Sequence, residues 1–335
     1  MNYSILNDQL IELNNHHYNK CIDFKLLIDG LNWKKYLREN PEEIFIHANL
    51  FKVKKLLSIN SNNVQTLKMS SSGTTGNRSN IYADRLTRAN QQRALINIFK
   101  DSFNLNLKDR FNYYVIANKS ELVKDIFDAQ MAAIKGFSLF AKESIFLLDS
   151  KNHIIPEALD KLRNDKNKFF IFGFTSKVYL QFLQFLKENK ICIDARNSIL
   201  LHGGGWKKLN ELRISNTKFN KKLFQKFNLK KIHNYYGMVE QTGSIFLECE
   251  KCNSFITSNY SDILIRGKKF EILDSHKEGF IQLISLIPTS YPGNSILSDD
   301  LGMIVENDCT CKKLGKRFKV NGRILNSEIR GCSNV

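Results

Sequence analysis

The chain has 335 residues, 42% hydrophobic and 25% charged, the balance of a globular protein with a large core and one or two domains. No run approaches about 18 apolar residues, and Met1-Asn2-Tyr3-Ser4-Ile5-Leu6-Asn7-Asp8 lacks the basic start and apolar stretch of a signal peptide, so no stable membrane insertion and a cytoplasmic location are expected. The formal charge of +17 is spread along the chain without a block of like charges, which argues against a nucleic-acid partner and leaves open both scattered solvated lysines and a functional basic surface.

In chain order, residues 20–60 read as short amphipathic helices with Phe24, Leu27, Leu31, Trp33 and Tyr36 at apolar positions. Leu67-Lys68-Met69 leads into a polar, Gly-containing loop at 70–80, and a helix is predicted from about Asp84 to Phe103. Residues 113–117 and 169–174 read as buried strands, and Ser176 opens a helix to about Glu188. Ser198-Ile199-Leu200-Leu201 is a further buried strand ending in His202-Gly203-Gly204-Gly205-Trp206, followed by a Lys-rich helix to about Phe227. Alternating strands and helices predict an α/β fold with a largely parallel sheet, whose ligands gather where strands end at their carboxyl sides. Strands at 262–265, 280–284 and 303–305 predict a smaller β-rich subdomain. The expected division is an α/β core with N-terminal helices over 1–245, a β-rich part over 246–325, and a flexible tail over 326–335.

The loop Ser70-Ser71-Ser72-Gly73-Thr74-Thr75-Gly76-Asn77-Arg78 has the small residues and hydroxyls that let backbone wrap an anion. It is not a Walker loop, because only two residues separate its glycines and no Lys-Ser/Thr follows. It resembles the phosphate loop of the adenylate-forming superfamily, whose members activate carboxylic acids with ATP. Tyr235-Tyr236-Gly237-Met238-Val239-Glu240, Asp299-Asp300-Leu301-Gly302 and Gly322-Arg323 resemble three further motifs of that superfamily, in its order. Three longer stretches, His202 to Lys207, Tyr236 to Phe246 and Pro288 to Gly293, resemble the acyl-protein synthetases, which activate long-chain fatty acids in bacterial luminescence systems. The ending Glu328-Ile329-Arg330-Gly331-Cys332-Ser333 is similar to that family's tail.

The resemblance implies roles residue by residue. Ser71, Ser72, Gly73, Thr74, Thr75 and Gly76 would hold the β- and γ-phosphates of ATP, Glu240 would hold Mg²⁺, and Asp300 would take the ribose hydroxyls. Arg323 would lie near ribose or phosphate; Gly203, Gly204 and Gly205 would let the backbone approach adenine or the acyl-adenylate, near which Tyr236 and Gly237 would sit; Lys207 would stabilise the α-phosphate. Cys332 would carry the acyl group as a thioester. The superfamily's small C-terminal domain, with its transition-state Lys, is expected to be absent, because the sequence ends about a dozen residues after Gly322-Arg323; Lys207, Arg78, Lys319 or a partner would supply the charge. Phe170, Phe172, Phe174 and the following helix read either as an acyl tunnel or as ordinary core.

Seven cysteines without a signal peptide argue against a disulfide framework. Cys249/Cys252 and Cys309/Cys311 form two close pairs, which suit a structural Zn²⁺ site or stay as reduced thiols. The activity expected is that of an ATP-dependent, AMP-forming acid–thiol ligase passing a fatty acyl group to a protein such as a reductase or carrier protein. An acid:CoA ligase of the phenylacetate-activating type is the alternative.

Overall fold

The computed structural model describes residues 3–60, 64–71, 78–105, 108–123, 126–205, 214–306 and 309–324. These fall into two compact units, one drawn from 1–98, 237–246 and 254–328, the other from 99–236 and 247–253.

The first unit opens with helices α1 (Tyr3–Lys20) and α2 (Ile22–Gly30), then the short strand β1 (Ile46–His47) and the single turn α3 (Leu50–Val53). α1 is polar overall, and it is anchored by hydrogen bonds more than by an apolar stripe. Buried Asn14 donates to the Pro41 carbonyl at 3.0 Å and accepts from Asn294 at 2.7 Å. Strands β2 (Leu67–Ser70) and β3 (Asn80–Ala83) form an antiparallel hairpin with Ser70 opposite Asn80. Helix α4 (Arg85–Phe103) follows because the Asp84 carboxylate caps its first turn, accepting the Thr87 N–H at 2.7 Å.

The second unit holds the parallel sheet that the alternating pattern predicts. Its elements are β4 (Phe111–Asn118), β5 (Phe127–Asp128), α5 (Ala129–Phe137), β6 (Ala141–Leu148), α6 (Pro156–Asn164), β7 (Phe170–Phe174), α7 (Thr175–Lys177), α8 (Gln184–Glu188), β8 (Ile199–Gly203), α9 (Asn216–Phe227) and β9 (Lys231–Tyr236). The strand order is β6-β4-β7-β8-β9, every pairing parallel. β7 and β8 are buried at every position, as expected of strands covered on both faces. One face packs on Leu159, Leu162, Phe182, Leu186, Phe219 and Leu223 from α6, α9 and the helical run 175–188. That run is not one regular α-helix: between α7 and α8 lies a π-helical stretch, Val178–Leu183, which residue pattern alone does not reveal. Ser215 caps α9, and Asn228, in the left-handed region at φ 51°, ends it.

After β10 (Phe246–Glu248), the chain returns to the first unit with β11 (Phe255–Ile256), β12 (Ser261–Arg266), β13 (Gly279–Ser285), β14 (Ser295–Val305) and β15 (Arg317–Arg323). Antiparallel pairing gives the order β12-β13-β14-β15-β11, and β1 adds to β14 in parallel. The predicted strands at 262–265, 280–284 and 303–305 correspond to β12, β13 and the end of β14. β15 escapes sequence reading, since its segment Arg-Phe-Lys-Val-Asn-Gly-Arg is mostly polar and offers Phe318 as its one large fully buried apolar side chain.

Candidate active site

In the first unit, the described ends of the Ser/Gly/Thr loop, Ser70-Ser71 and Arg78-Ser79, adjoin the paired strands β2 and β3. Ser71 is buried and closes the base: its N–H donates to the Ser79 carbonyl at 2.9 Å, and its hydroxyl accepts the Ser79 N–H at 3.0 Å. The Ser70 hydroxyl donates to Asn80 at 2.7 Å. Ser72, Gly73, Thr74, Thr75 and Gly76 lie outside the described residues, as do Lys207 and Cys332.

Glu240 lies in the 3₁₀ turn Val239–Gln241, which follows Gly237, and is only 1% exposed. Next to it, buried Gln241 spends both amide hydrogens on backbone, donating to Leu283 at 2.9 Å and Gly293 at 2.8 Å. Buried Ser244 and Ser285 share a hydroxyl hydrogen bond at 2.6 Å. These bonds fix the turn that aims Glu240. Tyr291 is fully buried, and burial, followed by the Glu240 carboxylate, pushes its phenol well above the usual range.

Asp300 and Arg323 are opposite each other on β14 and β15, and the Arg323 Nε donates to the Asp300 carboxylate at 2.9 Å. The sequence assigns them to separate motifs 23 residues apart; the hairpin register unites them. A neighbouring pair, His47 with Asp299 at 3.0 Å, has no signal in the sequence motifs. His47 reaches β14 through the two-residue strand β1, too short to leave a pattern.

In the second unit, the carboxyl ends of β7, β8 and β9 bring together Thr175, His202, Gly203 and Tyr235. A side chain at Gly203 would collide with the Tyr235 ring, so only glycine fits there. Gly204 at φ 77° and Gly205 at φ 64° hold left-handed backbone that favours glycine. Tyr236 is the last residue of β9. Thr175 ties β7 to β8, bonding His202 Nδ1 at 2.9 Å and donating to the Gly203 carbonyl at 3.1 Å. Burial, then the nearby His233, lowers the His202 pKa to about 3, so the ring is neutral at pH 7. The sequence motifs give no role to His202 or Thr175; a histidine at the carboxyl end of a wholly buried strand is the signal that marks them.

Phe170, Phe172 and Phe174 share one face of β7 and are close-packed. Phe170 stacks on Tyr113 at 5.6 Å, and Phe172 meets Phe137 at 4.9 Å and Phe174 at 5.3 Å.

The cysteine pairs sit on tight turns. Cys309 Sγ accepts the Cys311 N–H at 3.5 Å, and Cys311 Sγ accepts from the Lys313 N–H at 3.4 Å and from Arg317 at 3.0 Å. In the second unit the Asn253 N–H closes the turn around Cys252, donating to the Cys249 carbonyl at 2.8 Å.

Residues 2–335 match the family model described as acyl-protein synthetase, LuxE. The chain belongs to the acyl-protein synthetase family. Two long-chain-fatty-acid–luciferin-component ligases are relatives: that of Vibrio harveyi is 20% identical over 95% of this chain and 83% of its own length, and that of Aliivibrio fischeri 25% identical over 95% and 84%. Among solved structures, 2-hydroxyisobutyryl-CoA ligase in complex with 2-HIB-AMP and CoA matches this synthetase with a TM-score of 0.71, at 12% identity over 96% of this chain and 69% of that one. ATP-bound MatB from Rhodopseudomonas palustris matches with a TM-score of 0.51, at 13% identity over 76% of this chain and 47% of that one. The synthetase therefore has the fold of adenylate-forming ligases. Among its described residues, no helix is long and apolar enough to cross a membrane.

Proposed function

We propose that this synthetase joins a long-chain fatty acid to ATP, forming acyl-AMP, and then passes the acyl group to a protein thiol. The carrying observation is a buried carboxylate, Glu240, on a turn fixed by Gln241. One carboxylate beside phosphate oxygens suits Mg²⁺. When bound, Mg²⁺ would neutralise charge on the triphosphate.

The chain's own residues do the rest. Hydroxyls and N–H groups of residues 71–76 bind the β- and γ-phosphates. Asp300, held by Arg323, accepts from the ribose hydroxyls. Gly203, Gly204, Gly205, Tyr236 and Gly237 form the surface against adenine and the acyl phosphate. A fatty carboxylate oxygen attacks the α-phosphorus, the bond to the bridging oxygen breaks, and pyrophosphate leaves. Lys207 stabilises the charge on the α-phosphate. The Cys332 thiolate then attacks the acyl carbonyl carbon, AMP departs, and the thioester passes to an acceptor such as a reductase or carrier protein. N–H groups directed at sulfur, as at Cys309 and Cys311, fit thiolates that would hold a structural Zn²⁺.

The test incubates the protein with ATP, Mg²⁺ and radiolabelled fatty acids, with and without CoA, comparing wild type with Cys332→Ser. Self-labelling that disappears in Cys332→Ser supports the reading. Release of acyl-CoA without protein labelling would instead establish a CoA ligase, an outcome the fold likeness to 2-hydroxyisobutyryl-CoA ligase keeps in play.

A further inference from the structure

The segment Pro288–Gly293 joins β13 to β14, and Thr289, Ser290 and Gly293 in it bond to other parts of the first unit. At its centre is a clasp between Thr87, on the first turn of α4, and Thr289-Ser290. The Thr87 Oγ1 accepts the Thr289 N–H at 3.2 Å and the Ser290 N–H at 3.1 Å. It also meets the Thr289 and Ser290 hydroxyls at 2.9 and 3.0 Å. The Ser290 hydroxyl donates to the Tyr82 carbonyl at 2.8 Å and accepts the Asp84 N–H at 3.3 Å. Thr87 and Ser290 are both fully buried. Tyr82 lies on β3, the strand that carries the chain out of the phosphate loop, directly opposite Lys68 on β2.

Three residues further on, the same segment grips the Glu240 turn. The Gly293 carbonyl accepts from the Gln241 amide at 2.8 Å. A side chain at Gly293 would strike the Tyr291 ring and come within 2.7 Å of the Glu240 carbonyl oxygen. Tyr291 between them is fully buried, edge-on to Phe51 at 6.0 Å, and its hydroxyl has no hydrogen-bond partner among the described residues. A buried hydroxyl without a partner costs about 1–3 kcal/mol in general, so its retention beside a buried carboxylate calls for a reason.

We propose that Thr87, Ser290 and Tyr291 are positioning residues that join the phosphate hairpin to the Glu240 turn, so that the triphosphate and its metal ion are held as one unit. This rests on the reading of residues 71–76 and Glu240 as the ATP–Mg²⁺ site. The physical path is short and made of directional bonds: β3 to Ser290, Ser290 to Gly293 through the chain, Gly293 to Gln241, and Gln241 to its neighbour Glu240.

The experiment is acid-dependent ATP–pyrophosphate exchange, with ATP and Mg²⁺ each titrated, for wild type, Thr87→Val, Thr87→Ser, Ser290→Ala and Tyr291→Phe, alongside thermal melting. Thr87→Val keeps the shape and removes the oxygen. It should raise the KM for ATP and the half-saturating Mg²⁺ concentration together by about fivefold or more, the equivalent of one lost hydrogen bond's net worth. The KM for the fatty acid should stay within about twofold, and Thr87→Ser should recover the wild-type values. Ser290→Ala should behave like Thr87→Val, which guards against a single variant that fails to fold. Tyr291→Phe should shift the Mg²⁺ dependence without lowering the melting temperature. Unchanged ATP and Mg²⁺ constants, with only the active fraction and melting temperature reduced, would show a purely structural clasp and overturn the proposal. Absence of exchange in the wild type would overturn the ATP-site reading itself, a different failure from exchange with unmoved constants.

Discussion

Acidification from pH 7 to pH 5 should cost this fold about 4 kcal/mol through two histidines. His17 is fully buried on α1, with Nδ1 bonded to the Ser58 hydroxyl at 2.7 Å, and burial, then His16, lowers its pKa from 6.5 to about 3. His202 in the second unit is lowered to the same level by burial and His233. Both folded values lie below the unfolded one, so the unfolded chain binds more protons between pH 6.5 and about 3, and stability falls as pH drops through that window. At pH 5, protonation of each unfolded imidazole favours unfolding by roughly 2 kcal/mol, while at pH 7 the effect is about 0.2. Against a usual net stability of about 5–15 kcal/mol, the two together are a large fraction. Urea midpoints measured at pH 7, 6 and 5 would show the loss, and His202→Asn and His17→Asn should each reduce the pH-dependent part by about half. Stability curves for wild type and variants that run parallel between pH 7 and pH 5 would refute the reasoning, because they would mean that neither ring is held neutral.

Further outcomes follow from the candidate site. Glu240→Gln keeps the volume and removes the charge; pyrophosphate exchange should fall by about 100-fold or more at fixed Mg²⁺, in line with the loss of one preorganised electrostatic group. Asp300→Asn should raise the KM for ATP, and a double-mutant cycle with Arg323→Gln should reveal coupling, since Arg323 holds the Asp300 carboxylate at 2.9 Å. Metal analysis of purified protein should find about one zinc per chain, with Cys311→Ser lowering the zinc content and the melting temperature together; zinc-free wild-type protein would remove that site.

How legible was this molecule in its sequence? The parallel sheet was readable because continuous apolar runs such as 170–174 and 198–201 have few other uses in a globular chain. The motif residues were readable as types, and the family assignment agrees with the resemblance they carry. What the sequence hid were the pairings. Asp300 and Arg323 meet through a strand, β15, whose polar composition disguises it, and through a register shifted by an irregularity between Leu301 and Gly302. Thr87 and Ser290 are 203 positions apart, and side-chain hydrogen bonds leave no periodic trace. His47 depends on a strand of two residues. The π-helical turn at 178–183 uses the same apolar residues as an α-helix, so its hydrogen bonding has no signature in residue type.

The most direct test of acid adenylation is fatty-acid-dependent exchange of radiolabelled pyrophosphate into ATP by the purified chain. The account predicts exchange that requires both a long-chain fatty acid and Mg²⁺, survives Cys332→Ser and is lost in Glu240→Gln. No exchange with any fatty acid tested, from protein that is folded and monodisperse, would contradict it.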